Sequence, residues 1–196
     1  KGMPTYKITY EGISRTFQNI RLFKSMTVLE NLMVGMHMNM EQNFFSFLVN
    51  PKKTAREELQ MEEKAKEILD FIGMYSLRDE YVNNISYGRQ KVTELGRALM
   101  TRPTSPQLLF LDEPAAGLNP SERVEFVDIL VKVFESGVDL FLIEHNMDVV
   151  MNICHSITVL NFGKKIAEGT PHEIQNNTDV IRAYLGEDYL PIGAQD

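Results

Sequence analysis

The stretch that most constrains the fold runs from Leu108 to Pro114, where four apolar residues precede two carboxylates and a proline. An unbroken apolar run of this length is typical of a strand buried on both faces, as in a parallel sheet. The strand should end near Pro114, because proline cannot donate to a strand ladder. Asp112 and Glu113 are therefore predicted at the carboxyl edge of the sheet, where open α/β sheets bind ligands. Taken alone, the stretch also fits a plain strand end followed by an acidic turn.

The chain after this strand predicts a βαβ unit. Pro120 marks a helix start with Asn119 as its cap, and the helix should end near residue 136. Residues 138–143 predict the next strand, parallel to the first through a right-handed crossover. His145 should then emerge on the same sheet edge as the two carboxylates. Taken alone it reads as a capping or core histidine, and the shared edge makes that alternative less favoured. The helix face predicted to point inward consists of Val124, Val127, Leu130, Val131 and Phe134.

The region from residue 26 to about residue 81 reads as helical, in contrast to the strand-rich chain on either side. Thr27 with Glu30, and Thr54 with Glu57, have the spacing of capping boxes that start helices. This contrast predicts a helical insertion in an α/β core. Further along, residues 156–161 and 164–168 predict a hairpin at the edge of the sheet.

Ser86 and Gly88 stand at the start of a helix that should end near Met100. Ser86 is placed to act as the N-cap. Gly88 lies in the first turn, where glycine weakens the helix but lets another group approach the backbone closely. A helix start is also suited to anions, because its N–H groups are free and its dipole end is positive. Helix capping alone explains why a serine stands at position 86, but it does not explain a glycine in the first turn at position 88.

Composition narrows the possible partners. The formal net charge is -7 and there is no basic run, so nucleic acid is a poor partner for this surface. The single cysteine, Cys154, excludes a disulfide within the sequence and is predicted to be a buried structural thiol rather than a nucleophile. No apolar run reaches membrane-spanning length, so any link to a membrane is expected through a partner.

Five motifs in this order resemble the ATP-binding subunit of ABC transporters, and the resemblance covers nearly the whole chain. The matching segments are residues 15–18 for the Q-loop strand ending in Gln18, 85–90 for the signature, 108–114 for Walker B with its following glutamate, 115–120 for the D-loop, and His145 for the switch histidine. Within the family, the branched-chain amino-acid uptake branch is resembled by residues 15–23, 112–120 and 159–171. The urea and lipopolysaccharide-export branches of the family look similar enough to remain alternative assignments.

The resemblance implies an α/β fold with a P-loop NTPase-like (RecA-like) core, a mostly parallel sheet and a helical subdomain insertion. Its parts fall on residues 1–25 for the end of a core strand and the Q-loop, 26–100 for the helical subdomain with the signature, 101–170 for the core half with Walker B, D-loop and switch histidine, and 171–196 for C-terminal helices and a tail. The printed sequence has no G-x-x-x-x-G-K-[ST] loop. We therefore expect an N-terminally truncated form, lacking the Walker A part and inactive alone.

For the site, the resemblance implies ATP and Mg²⁺ as ligands. Asp112 and Gln18 are expected at the metal. Glu113 is expected to polarise the attacking water, while His145 contacts the γ-phosphate and Gln18 reports the nucleotide state. The residues expected to contact nucleotide from the signature and the D-loop are Ser86, Gly88, Gly117 and Asn119. Two positions depart from the family pattern, with Arg89 where the generic signature has Gln and Asn119 where many D-loops have Asp.

The resemblance also implies partners. These are transmembrane permease subunits and a second ATP-binding subunit, identical or different, at the cytoplasmic face of the inner (plasma) membrane. The loop after Gln18, with Leu22 and Phe23, is expected to meet the membrane subunit. Two other classes stay open. The first is a non-transport ABC ATPase of DNA repair or translation, which would usually carry coiled-coil insertions or basic linkers that this sequence lacks. The second is an inactive interaction fragment, which only the missing P-loop favours.

Overall fold

The computed structural model describes residues 2–36, 51–101 and 106–185. They form two compact units that divide between His145 and Asn146. The elements of the first unit are α1 (Thr5–Tyr10), β1 (Ile13–Arg15), α2 (Val28–Met36), α3 (Pro51–Phe71), α4 (Tyr87–Leu99), β2 (Leu108–Asp112), α5 (Pro120–Glu135) and β3 (Asp139–Ile143), with short 3-10 turns at Tyr75–Leu77 and Val82–Asn84. The elements of the second unit are α6 (Met147–Ile153), β4 (Ile157–Asn161), β5 (Lys164–Gly169), α7 (Pro171–Gln175) and α8 (Thr178–Leu185). The predicted tail falls outside the described residues.

The three strands of the first unit form a parallel sheet in the order β1-β2-β3. The predicted βαβ unit is confirmed, and Asp112 lies opposite Ile143 at the carboxyl edge. The prediction that β2 is buried on both faces is wrong. Leu109 and Leu111 are buried, whereas Phe110 is half-buried beside the exposed ring of Phe141, with ring centroids 4.9 Å apart. Side chains alternate across a strand, so an all-apolar run fits one buried face as well as two.

Helix α5 presents a different face to the core than the sequence predicts. Its buried residues are Phe126, Ile129, Leu130 and Val133. Of the predicted inward set only Leu130 is buried, and the side chain of Val124 is 62% exposed. The helix carries apolar residues on two stripes, and both follow helical spacing. Local periodicity therefore cannot choose between them, and packing against the rest of the unit decides.

In the helical region, α2 packs against both α3 and α4. The capping box at the start of α2 is confirmed, since Thr27 N donates to Glu30 Oε2 at 2.7 Å and Glu30 N donates to Thr27 Oγ1 at 3.2 Å. The predicted start of α3 at Thr54 is wrong, because that helix begins at Pro51. Proline suits a first helical position, where its missing N–H has no partner to lose and its φ angle is already helical.

The second unit contains an antiparallel hairpin, β4 paired with β5. The predicted hairpin is confirmed, although it forms a two-stranded sheet of its own. Its turn places Phe162 at φ 47° and Gly163 at φ 77°, a pair of positive values that matches the twist of the flanking strands. Cys154, at the end of α6, is half-buried, and burial raises the pKa of its thiol. Across the described ranges, no helix combines the length and apolarity needed to cross a membrane.

Candidate functional site

Glu113 occupies an unusual backbone position at the end of β2. Its N–H donates to Ile143 O at 2.8 Å, so the strand pairing continues one residue past Asp112. Its φ is 44°, in the left-handed region that non-glycine residues rarely adopt. The carbonyl of Glu113 then accepts from Ala116 N at 3.1 Å, which closes a turn. Conformations of this kind cost energy and concentrate at functional sites. Phe162, which shares this conformation, lies in the turn of a hairpin, whereas Glu113 lies at the carboxyl edge of the parallel sheet and is therefore the candidate site residue.

The side chain of Glu113 lies between groups from two other segments. Gln18, three residues after β1, donates from Nε2 to Glu113 Oε2 at 2.6 Å. His145, two residues after β3, places Nδ1 3.7 Å from Glu113 Oε1, and its side chain is 73% exposed. The structure thus brings Gln18, Glu113 and His145 together at one edge of the parallel sheet. The edge is open to solvent at the imidazole, so a ligand can reach it.

Glu144 contacts the backbone on both sides of this cluster, and the sequence motifs did not predict it as a site residue. Its side chain is 1% exposed. Oε1 accepts from Ala115 N at 3.2 Å, and Oε2 accepts from the backbone N of His145 at 2.8 Å. The carboxylate therefore ties the turn after Glu113 to the end of β3. Its position directly before His145, at the end of an apolar strand, is the signal that could have identified it.

Asp112 lies beside Glu113 and faces Arg15. Its Oδ2 accepts from Arg15 Nη2 at 2.9 Å, in a partly exposed ion pair. The part of the chain that the structure describes contains no group of three or more His, Cys, Asp or Glu residues placed to hold a metal. A partly exposed carboxylate at this edge fits Mg²⁺, which keeps water ligands and takes one or two carboxylates plus substrate phosphates. The same set does not fit a metal that needs a complete cage of protein ligands.

A second cluster surrounds the start of α4. Ser86 Oγ accepts from Arg89 N at 3.3 Å, which makes it the N-cap, and donates to Glu122 Oε1 at 3.2 Å. A Cβ atom at Gly88 would lie 2.6 Å from the carboxyl group of Glu122. The absence of a side chain at Gly88 therefore admits this carboxylate. A negative group at a helix start is electrostatically favourable, and here that position is occupied by the carboxylate of Glu122.

Glu122 is held in this place by the start of α5. Its N–H donates to Asn119 Oδ1 at 3.0 Å, and Asn119 N donates to Glu122 Oε2 at 3.2 Å. This reciprocal pair is a capping box, and its Asn-x-x-Glu spacing is visible in the sequence. In the preceding loop, Gly117 has φ 79°, and a Cβ there would lie 2.9 Å from the ring of Tyr87. The structure places all four residues predicted for the signature and D-loop near the start of α4 or α5.

A sequence profile described as ABC transporter matches residues 3–116, which is more than half of the chain. The chain belongs to the ABC transporter family. A second profile, described as branched-chain amino acid ATP-binding cassette transporter, matches residues 164–189 of this ABC protein. The family membership predicted from the five motifs is therefore confirmed.

Individual relatives agree with this assignment. The high-affinity branched-chain amino acid transport ATP-binding protein BraF of Pseudomonas aeruginosa is 42% identical over 188 residues, which cover 95% of this chain and 72% of BraF. LivG of Escherichia coli K12, described in the same words, is 40% identical with the same coverage. A crystal structure of an ABC transporter's ATP-binding cassette in its ADP conformation superposes with a TM-score of 0.75 at 33% identity, covering 92% of this chain and 71% of the other. The predicted α/β, P-loop NTPase-like fold is confirmed.

Proposed function

We propose that this protein is the ATP-hydrolysing subunit of an ABC importer for branched-chain amino acids and drives transport through membrane permease subunits. The observation that carries the proposal is the strained Glu113, held at the end of a parallel strand between the amide of Gln18 and the imidazole of His145. The substrate class is supported by the match of residues 164–189 and by the names of BraF and LivG. As such a subunit, the protein works peripherally, at the cytoplasmic face of the membrane.

In this proposal, Glu113 is the group that polarises the attacking water. Gln18 fixes the direction of the carboxylate by donating to Oε2, which leaves Oε1 on the side of His145. His145 contacts the γ-phosphate through its exposed imidazole. Phosphoryl transfer depends mainly on positioning and charge stabilisation, and three side chains gathered at one sheet edge support this assignment of roles.

Asp112 and Gln18 are the residues that would hold Mg²⁺. The ion, when bound, neutralises charge on the phosphate oxygens. Arg15 holds the Asp112 carboxylate at the sheet edge in the structure described here, with Nη2 2.9 Å from Oδ2. The pair is partly exposed, and an ion pair of that kind contributes only about 0–1 kcal/mol, so Asp112 can exchange this partner at low cost.

Ser86 and Gly88 contact the nucleotide of a second ATP-binding subunit, which faces this one head to tail. The support for this role is the anion-seating geometry at the start of α4, where the carboxylate of Glu122 now lies. Gly117 and Asn119 extend the same surface through the D-loop, since Asn119 fixes Glu122 and Gly117 packs against Tyr87. Glu122 must give way when a phosphate takes its place.

The requirement for a divalent ion tests the ATPase proposal. The whole gene product, assembled with its permease subunits in membrane vesicles, should hydrolyse ATP in Mg²⁺, and a chelator should lower the rate by at least about a hundredfold, because the phosphate charges lose their counter-ion. Phosphate release is the measurement, and added Mg²⁺ should restore it. Hydrolysis that persists at the same rate in excess chelator would contradict the proposal.

A further inference from the structure

Helix α4 carries three charged residues on one face, Lys91, Glu94 and Arg97, spaced three apart. Lys91 and Glu94 are each only 3% exposed. Lysine and glutamate are almost never buried to this degree unless they are paired, because removing a charge from water is costly. Two buried charges on a helix that also bears Ser86 therefore require an explanation.

All three side chains bind the backbone of one segment, residues 18–21. Lys91 Nζ donates to Gln18 O at 2.9 Å. Glu94 Oε1 accepts from Arg21 N at 3.2 Å, and Arg97 Nη1 donates to Arg21 O. These contacts are to peptide groups, so they determine where the chain runs whatever its side chains are. We call Lys91, Glu94 and Arg97 the α4 clamp.

Burial in the α4 clamp disfavours the charged forms of Lys91 and Glu94. Burial lowers the pKa of Lys91 and raises the pKa of Glu94, in both cases as the largest effect. The opposite charge of each residue counters part of the other's shift, and the charges of Glu113 and Glu144 also raise the pKa of Lys91. A pair of apolar residues would fill this space without that desolvation cost. A contribution to the stability of the fold therefore does not by itself explain why charged residues occupy these positions.

We propose that Lys91 is a positioning residue which, with Glu94 and Arg97, fixes the backbone at Gln18 so that its amide reaches Glu113. The inference rests on the proposed function, because it concerns the direction of the Glu113 carboxylate. The side chain of Gln18 is exposed, so the course of its backbone sets where its amide can point. The path runs from Lys91 Nζ to Gln18 O at 2.9 Å, and from Gln18 Nε2 to Glu113 Oε2 at 2.6 Å. Since Ser86 caps the same helix, the clamp links the helix that bears Ser86 to the Gln18 segment.

The first test needs no nucleotide and uses the chain itself. In ¹⁵N-labelled protein, the side-chain amide of Gln18 should give signals displaced from those of a free glutamine, because it donates to Glu113. Lys91→Met should move these signals to the free position, whereas Lys91→Arg, which keeps a cationic donor, should leave them in place. Lys132→Met on the exposed face of α5 is the matched control and should change nothing. Unchanged Gln18 signals in folded Lys91→Met would overturn the proposal.

A second variant keeps the test decisive if Lys91→Met does not fold. Glu94→Ala removes the acceptor of Arg21 N, so hydrogen exchange at the Arg21 amide should become at least about tenfold faster. The Gln18 signals should move in the same variant. Exchange at Arg21 that equals that of the unaltered protein, with Gln18 signals in place, would overturn the clamp.

Turnover separates a positioning role from a purely structural one. In the assembled transporter, Lys91→Met should lower kcat about tenfold, with KM for ATP within about twofold, and Lys91→Arg should restore it. In a Gln18→Ala background the same substitution should have no further effect, because Lys91 acts through Gln18. An equal loss in both backgrounds would overturn the inference. Absence of turnover in the unaltered transporter would instead reject the proposed function.

Discussion

Glu113→Gln is expected to lower ATP turnover by at least about a hundredfold while ATP still binds. Glutamine has nearly the same shape and offers an oxygen that still accepts from Gln18 Nε2, so the geometry of the sheet edge is kept. It has no charge with which to polarise a water molecule. The measurement is phosphate release by the assembled transporter at saturating ATP and Mg²⁺, with ATP binding determined on the same samples.

The control for this prediction is Glu135→Gln, at the exposed end of α5 and outside the cluster. It makes the same change of charge and should leave turnover within about twofold of the unaltered value. Hydrolysis by Glu113→Gln at the rate of this control would remove the proposed role of Glu113. Loss of ATP binding in Glu113→Gln would show that the carboxylate holds the nucleotide rather than activating water.

Gly35→Ala is expected to destabilise the first unit by about 2 kcal/mol. Gly35 lies on α2 where that helix crosses α4, and an added Cβ would lie 2.4 Å from the backbone oxygen of Arg97 and 3.0 Å from Met100 Cβ. Backbone atoms cannot rotate away, so the two helices must move apart. Alanine favours the helix by about 1 kcal/mol relative to glycine, which offsets only part of this cost. The free energy of unfolding in urea is the measurement.

Gly96→Ala on α4 is the matched comparison. A Cβ there would meet Ile72 Cδ1 at 2.8 Å and the methyl groups of Leu32 at 3.2 and 3.3 Å. These atoms are the ends of flexible side chains, and they can shift with little cost. We expect a loss below about 1 kcal/mol, because the gain in helix propensity offsets the repacking. The account of the α2–α4 crossing would be wrong if Gly35→Ala were the better tolerated of the two.

Features encoded locally were predictable from the sequence. The strand ending in Asp112 and Glu113 and the cap at Ser86 follow from apolar runs, proline and capping chemistry, which act over a few residues. The meeting of His145 with Glu113 follows from one added rule, that a βαβ crossover makes neighbouring strands parallel. Local pattern could not choose the buried stripe of α5, because Leu130 belongs to an apolar set that fits two faces equally well.

The α4 clamp and the place of Glu122 were not predictable in the same way. Lys91 and Glu94 read as ordinary charged positions, since their partners at Gln18 and Arg21 are 73 residues away in the chain. The partners are also backbone groups, which leave no trace in residue type. The capping role of Glu122 could have been predicted, because its spacing from Asn119 is that of a capping box. Its contact with Ser86 arises only when α4 and α5 pack together, and no local pattern encodes that packing.

We propose that ATP hydrolysis at the Glu113 site powers import of branched-chain amino acids. The most direct measurement is uptake of radiolabelled leucine by membrane vesicles that contain the whole protein and its permease subunits, with ATP and Mg²⁺ supplied on the side of the ATP-binding subunit. We predict leucine uptake that requires ATP, is absent in Glu113→Gln and is not matched by labelled urea. Uptake of urea without leucine, or leucine uptake that Glu113→Gln leaves unchanged, would contradict this account.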